Sequence, residues 1–278
     1  MKVGLLIVAI GIFLAVTVAV PPPAYNVTVS QELAKLAGIA FCGKDCVEAW
    51  SCGTGKGIPM EEPLYLEHPI TKAAGYVGYN SKTDQIVLSY RGSSNWENWV
   101  EDANFEKVAY FRCADCLIHA GFYVDWLFFE ELFIQKVGSL LAKHPSAGIV
   151  TTGHSLGAAI AAICAIELKH AFPNKKVQIH NFGQPRVGNI KLADHMADKL
   201  DGIYRVVHNK DLVPHVPPDL PGFDYHHPPY EVFFNSDMSS FKVCDSTGED
   251  ITCSDKFFPL YDPNDHDHYF IYISQVEC

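Results

Sequence analysis

Gly153-His154-Ser155-Leu156-Gly157 sets a serine between two glycines, directly after the β-rich run 149–152 and directly before a helical pattern. A serine hydroxyl is a useful nucleophile only when a base takes its proton and a third group orients that base. A tight strand-to-helix turn would expose Ser155 Oγ at the carboxyl end of a sheet. Its glycines would sit where side chains would strike neighbouring backbone, and helix N-terminal N–H groups would face a developing oxyanion. In the architecture that carries this turn, the chain order is Ser, then Asp or Glu, then His. Two downstream segments fit. Val206-Val207-His208-Asn209-Lys210-Asp211-Leu212-Val213-Pro214 sets an acid just after a strand, and Asp265-His266-Asp267-His268-Tyr269-Phe270 sets histidines near the C-terminus. By order alone, Asp224, Asp237 and Asp245 remain open as the acid, and His226, His227 and His268 as the base.

Other clusters read as structural. His208, His215 and the His226-His227 pair bring no converging ligand set, so no metal is expected. Cys42-x3-Cys46 and Cys113-x2-Cys116 lack a second Cys or His pair at zinc-finger spacing. Gly53-Thr54-Gly55-Lys56-Gly57 misses the phosphate-loop spacing, which argues against nucleotide binding. The aromatic run Phe122, Tyr123, Trp126, Phe128 and Phe129 reads mostly as helix core.

The elements that must position these groups alternate. β-rich runs cover 85–90, 148–152, 177–182, 203–207, 231–234 and 269–273, with helical patterns at 27–39, 126–143, 156–172 and 190–199. Strands alternating with helices imply crossover connections and a mostly parallel central sheet covered on both faces, the α/β class. The last two strands are expected to be antiparallel or short. No repeat or linker tract divides 25–278, so a single domain is expected there.

The whole chain has 278 residues, 48% hydrophobic and 19% charged, a globular composition rather than a disordered one. A formal net charge of −11 argues against nucleic acid and against electrostatic docking on anionic lipid. Lys2, the apolar run 3–20 and small Ala19 resemble a secretory signal peptide over 1–19, with an uncleaved anchor as the alternative. Either reading sends the rest of the chain out of the cytosol, to a secreted or luminal location. Eight of the nine cysteines lie in loop-like contexts and could form four bridges in an oxidising compartment, with Cys164 left as a buried thiol. Asn26-Val27-Thr28 is a glycosylation sequon.

Taken together, the chain resembles the fungal-type (class 3) triacylglycerol lipases over nearly all of 25–278. The resemblance rests on the 153–157 turn and on Tyr90-Arg91-Gly92-Ser93-Ser94-Asn95-Trp96-Glu97-Asn98-Trp99. It rests further on Phe182-Gly183-Gln184-Pro185-Arg186-Val187-Gly188-Asn189, on 211–218 and on 265–270. It implies an α/β-hydrolase fold with Ser155 as nucleophile, Asp211 as acid and His266 as base, the last preferred over His268 because Tyr269-Phe270 follows it. The implied oxyanion donors are the Ser93 and Leu156 N–H groups. Bridges Cys42–Cys278 and Cys244–Cys253 resemble the family's, and Cys46–Cys52 and Cys113–Cys116 follow partly by elimination. Trp96, Trp99 and Val100 would share one face of a short lid helix. The implied activity is cofactor-free hydrolysis of lipid esters at an oil–water or membrane interface, triacylglycerols foremost. Phospholipase A1 and feruloyl-type esterase occur on the same framework, and a non-catalytic lipid-binding homologue is the rival from another class. The sequence does not set the oligomeric state; a monomer is expected.

Overall fold

The computed structural model describes residues 24–93 and 105–278; the expected signal peptide and the lid residues Trp96, Trp99 and Val100 lie outside them. The described chain runs α1 (Val27–Ile39), α2 (Lys44–Glu48), β1 (Met60–Glu67), β2 (Ala74–Asn80), β3 (Gln85–Tyr90), β4 (Lys107–Ala109) and β5 (Leu117–His119). It continues with α3 (Ala120–Lys143), β6 (Gly148–His154), α4 (Leu156–Ala171), β7 (Val177–Phe182), α5 (Ile190–Lys199) and β8 (Gly202–His208). Last come β9 (Glu231–Phe234), β10 (Phe241–Val243), β11 (His268–Tyr269) and β12 (Ile271–Tyr272).

Eight strands form one sheet in the order β1-β2-β3-β6-β7-β8-β9-β10. The central five, β3, β6, β7, β8 and β9, run parallel. β1, β2 and β10 add antiparallel edges. The period-two alternation of a strand sends successive side chains to opposite faces. Ile86, Leu88 and Ile149 accordingly join the core with α3 and α4, while Val87 and Val150 join the core under α1. This is an α/β-hydrolase arrangement, a parallel centre with helices on both faces.

One expected strand fails locally. The run 269–273 does not enter the sheet: Phe270 takes φ 64°, and β11 folds back on β12 as a separate ribbon. β9 is short, as expected, at four residues, and it runs parallel to β8. Helix α3 begins six residues before the periodic pattern at Trp126, because the His119 ring accepts the N–H groups of Gly121 and Phe122 and caps its first turn. Strands β1 and β2 escape sequence reading because Pro63 and the glycines of β2 carry little strand signal.

Candidate active site

The turn at Ser155 follows from packing. Ser155 takes φ 58° and ψ −130°, a conformation that costs a non-glycine residue about 1–3 kcal/mol and persists only where surroundings enforce it. The enforcement is close approach. A Cβ on Gly153 would stand 2.5 Å from the Gly157 carbonyl carbon, and one on Gly157 only 2.2 Å from the Tyr90 carbonyl oxygen. Every residue of α4 from Gly157 to Leu168 is buried, so the helix cannot back away. Ser155 N–H donates to the Phe182 carbonyl at 3.1 Å, pinning the turn to the end of β7.

Two further segments reach the turn. Gly92 lies against it, since a Cβ there would meet the His154 carbonyl at 2.8 Å and Ser155 Cβ at 3.1 Å. Ser93 follows directly, and Leu156 is the first residue of α4, where N–H groups lack intrahelical acceptors. From the other side comes His266, fully buried, whose Nδ1–H donates to the Asp211 carboxylate at 2.9 and 3.0 Å. His154 Nε2–H donates to the His266 carbonyl at 2.7 Å, and the two rings lie 4.4 Å apart. The residue before Ser155 thus holds the backbone of His266. Ser155 Oγ has no hydrogen-bond partner among the described residues.

Asp211 is equally constrained. Its oxygens accept from Val213 N–H at 2.9 Å and from the Tyr269 hydroxyl. Burial raises its carboxyl, but the His266 charge and these donors outweigh burial and leave it below its usual value. The His154 ring is pushed down to about 3 by burial and then by the His266 charge, so it stays neutral.

The glycine-rich signature 182–189 positions rather than reacts. Gly183, at φ 58°, leaves room for both partners, since a Cβ would stand 2.9 Å from Asp211 Oδ2 and 2.9 Å from His266 Cε1. Arg186 clasps Glu249 with two bonds, of 2.8 and 2.6 Å, and donates to the carbonyls of His215 and Pro217, fixing the segment after Asp211. Tyr269, His154, Gly183 and Arg186 all lie inside motifs the sequence displays, but their roles become visible only through these contacts.

The alternatives for the acid lie elsewhere: Asp224, Asp237 and Asp245 are exposed. His226 and His227 donate through Nε2 to the carbonyls of Thr247 and Pro214, and His268 packs beside His208 at 5.4 Å. Asp219, His226 and Glu249 bring ligand atoms within 4.8 Å of one another. Glu249 Oε1 there already accepts from Arg186 and from His227 N–H. The cysteines pair as Cys42–Cys278, Cys46–Cys52, Cys113–Cys116 and Cys244–Cys253, with Cys164 free and buried.

A strained serine at a strand-to-helix turn beside a His–Asp pair, on a parallel sheet, defines the α/β-hydrolase class. Within it, the sequence model of the lipase (class 3) family matches residues 87–220. A lipase of Rhizopus niveus is 31% identical over 255 residues, covering 86% of this chain and 63% of the relative. A Rhizomucor miehei lipase is 32% identical over 196 residues, covering 69% of this chain and 53% of the relative. The solved structure of lipase II from Rhizopus niveus superposes with a TM-score of 0.81 at 29% identity, over 91% of this chain and 97% of that one. The chain belongs to the class 3 lipase family. It spans about 63% of the length of the Rhizopus relative.

Proposed function

We propose that the protein is a secreted serine esterase acting on the carboxylic esters of lipids, triacylglycerols foremost. The observation that carries this reading is a strained Ser155, whose buried Oγ has no hydrogen-bond partner among the described residues, next to His154, which bonds to the backbone of the buried His266–Asp211 pair. Ser155 Oγ attacks the ester carbonyl as His266 takes its proton, and the Leu156 and Ser93 N–H groups receive the oxyanion. His266 then protonates the departing alcohol. Water, activated by the same ring, releases the fatty acid from the acyl-enzyme while Asp211 stabilises the imidazolium. Apart from the ester and water, the groups this chemistry uses are side-chain and backbone groups of the chain itself.

Residues 25–278 form the single catalytic domain in this reading, following a signal peptide over 1–19, with Trp96, Trp99 and Val100 on a lid. Four disulfides suit an oxidising compartment. A Penicillium cyclopium relative, 32% identical over 167 residues, is named a secreted mono- and diacylglycerol lipase. Asn26 is exposed and caps α1 through Oδ1, which leaves its Nδ2 for a glycan.

The test is fatty-acid release from triglyceride emulsion and from phospholipid vesicles by the mature protein and by Ser155→Ala. Release mainly from triglyceride, lowered by at least about a thousandfold in Ser155→Ala, is expected. Preference for vesicles reassigns the substrate to phospholipids. No release from either, together with resistance to organophosphonate labelling, removes the catalytic reading in favour of lipid binding.

A further inference from the structure

We propose that a groove between α1 and the amino edge of the central sheet is a binding site for the first N-acetylglucosamine of a glycan carried on Asn26. The inference rests on the secretory reading above and not on the hydrolytic one. Asn26 and Thr28 of the sequon are both exposed. Asn26 Oδ1 accepts from Thr28 N–H at 2.9 Å and from Val29 N–H at 3.2 Å, so the cap of α1 fixes the side-chain amide and leaves Nδ2 free. In glycosylation by a luminal lipid-diphosphate oligosaccharide, the Nδ2–C1 bond forms, the C1–O bond to diphosphate breaks, and one Nδ2 proton passes to solvent. Oδ1 keeps its cap throughout.

Asn26 is itself part of the groove wall, so the sugar joined to it begins inside the site. The groove holds about 340 Å³, at the small end for ligand pockets, which is room for one sugar rather than a chain. Leu33 and Val150 are buried in its floor. Its deep polar groups are already matched, since His180 Nε2 and Ser30 Oγ share a hydrogen bond of 2.7 Å. Gln85 and Gln178 are not: both are half-buried in the wall, and neither side-chain amide is hydrogen-bonded among the described residues. Each amide offers a donor and an acceptor, which suits the hydroxyls and the acetamido group of an N-acetylhexosamine. The half-buried Tyr204 ring adds an apolar face for the sugar's C–H bonds.

The place in the fold is favourable as well. Gln85 is the first residue of β3 and Gln178 the second of β7, so the groove opens at the amino ends of the strands. Ser155 follows the carboxyl end of β6, at the opposite edge of the sheet. A glycan seated here leaves the Ser155 edge open to a lipid surface.

Expression in a eukaryotic secretory host, with mass spectrometry of the peptide bearing Asn26, reads occupancy. A hexosamine-bearing peptide is expected. A bare peptide from protein recovered in the medium overturns the proposal while secretion stands; a bare peptide from protein confined to the cytosol fails both. Thermal unfolding then reads the seat. Endoglycosidase trimming to the first sugar should leave the midpoint unchanged. Thr28→Ala, which abolishes the sequon and keeps the Asn26 cap, should lower it by about 2–4 °C. Gln178→Ala should lower the midpoint of the glycosylated protein and leave it nearly unchanged in the Thr28→Ala background. An equal drop in both backgrounds, or no drop in either, means that the sugar projects into solvent and overturns the seat.

Discussion

A buried carboxylate needs donors, and Asp211 finds them in His266, Tyr269 and the Val213 N–H. The Tyr269 hydroxyl is the donor whose removal is cleanest, because it leaves the ring in its packing site. A hydrogen bond to a charged group is worth about 1.5–3 kcal/mol. Tyr269→Phe should therefore lower kcat on a soluble ester by about tenfold or more while the thermal midpoint falls only modestly. Steady-state kinetics beside a melting curve check this, and an unchanged kcat would show that Asp211 is held without Tyr269. Residue types alone mark Ser155 here, but they leave several acids and histidines equivalent. The choice among them is a matter of contact, since His266 meets Asp211 and no exposed aspartate can reach so buried a ring.

At the scale of elements, the turn between β6 and α4 depends on how closely α4 approaches β3. Gly157 stands where any Cβ would press into the Tyr90 carbonyl at 2.2 Å. Gly157→Ala should displace the start of α4, destabilise the fold by about 1–3 kcal/mol, and cut ester hydrolysis more steeply than stability. Urea unfolding with parallel rate measurements tests this, and a variant of wild-type activity would mean the turn tolerates a shifted helix. Apolar patterning located α1 and α5, which bury part of their residues, and α4, which is apolar and buried along most of its length. It missed the start of α3, where a histidine cap supplies what hydrophobic spacing does not. It misread 269–273, where Phe270 turns the chain back on itself.

Across the whole molecule, several histidines are folded into sites that exclude their charged form. Burial holds His154 and His180 down to about 3, and His227 well below the ordinary value. The unfolded chain takes up protons at the His154 and His180 rings near pH 6.5, whereas the folded chain does not until near pH 3. More protons are then bound unfolded than folded within that window, so stability falls as pH is lowered through it. Asp211, held below its usual value, adds to the loss at the acid end. Thermal midpoints measured from pH 7 down to pH 4 should decline steadily by an amount on the order of several kcal/mol in stability. A flat profile would place these rings in water rather than in the core.

What the sequence determined by itself was pattern: a glycine-flanked serine between strand and helix, acid and histidine motifs in a fixed order, and apolar periodicities demanding a covered parallel sheet. Those features are local, and local sterics and burial suffice to read them. What only the tertiary structure decided was partnership. Asp211, His266 and Tyr269 are brought together across more than fifty residues of chain, His154 reaches the His266 backbone, and Gly183 earns its place by the atoms that crowd it. Hydrogen-bond donors must be matched to acceptors in three dimensions, and no one-dimensional spacing records which atoms arrive at the same point.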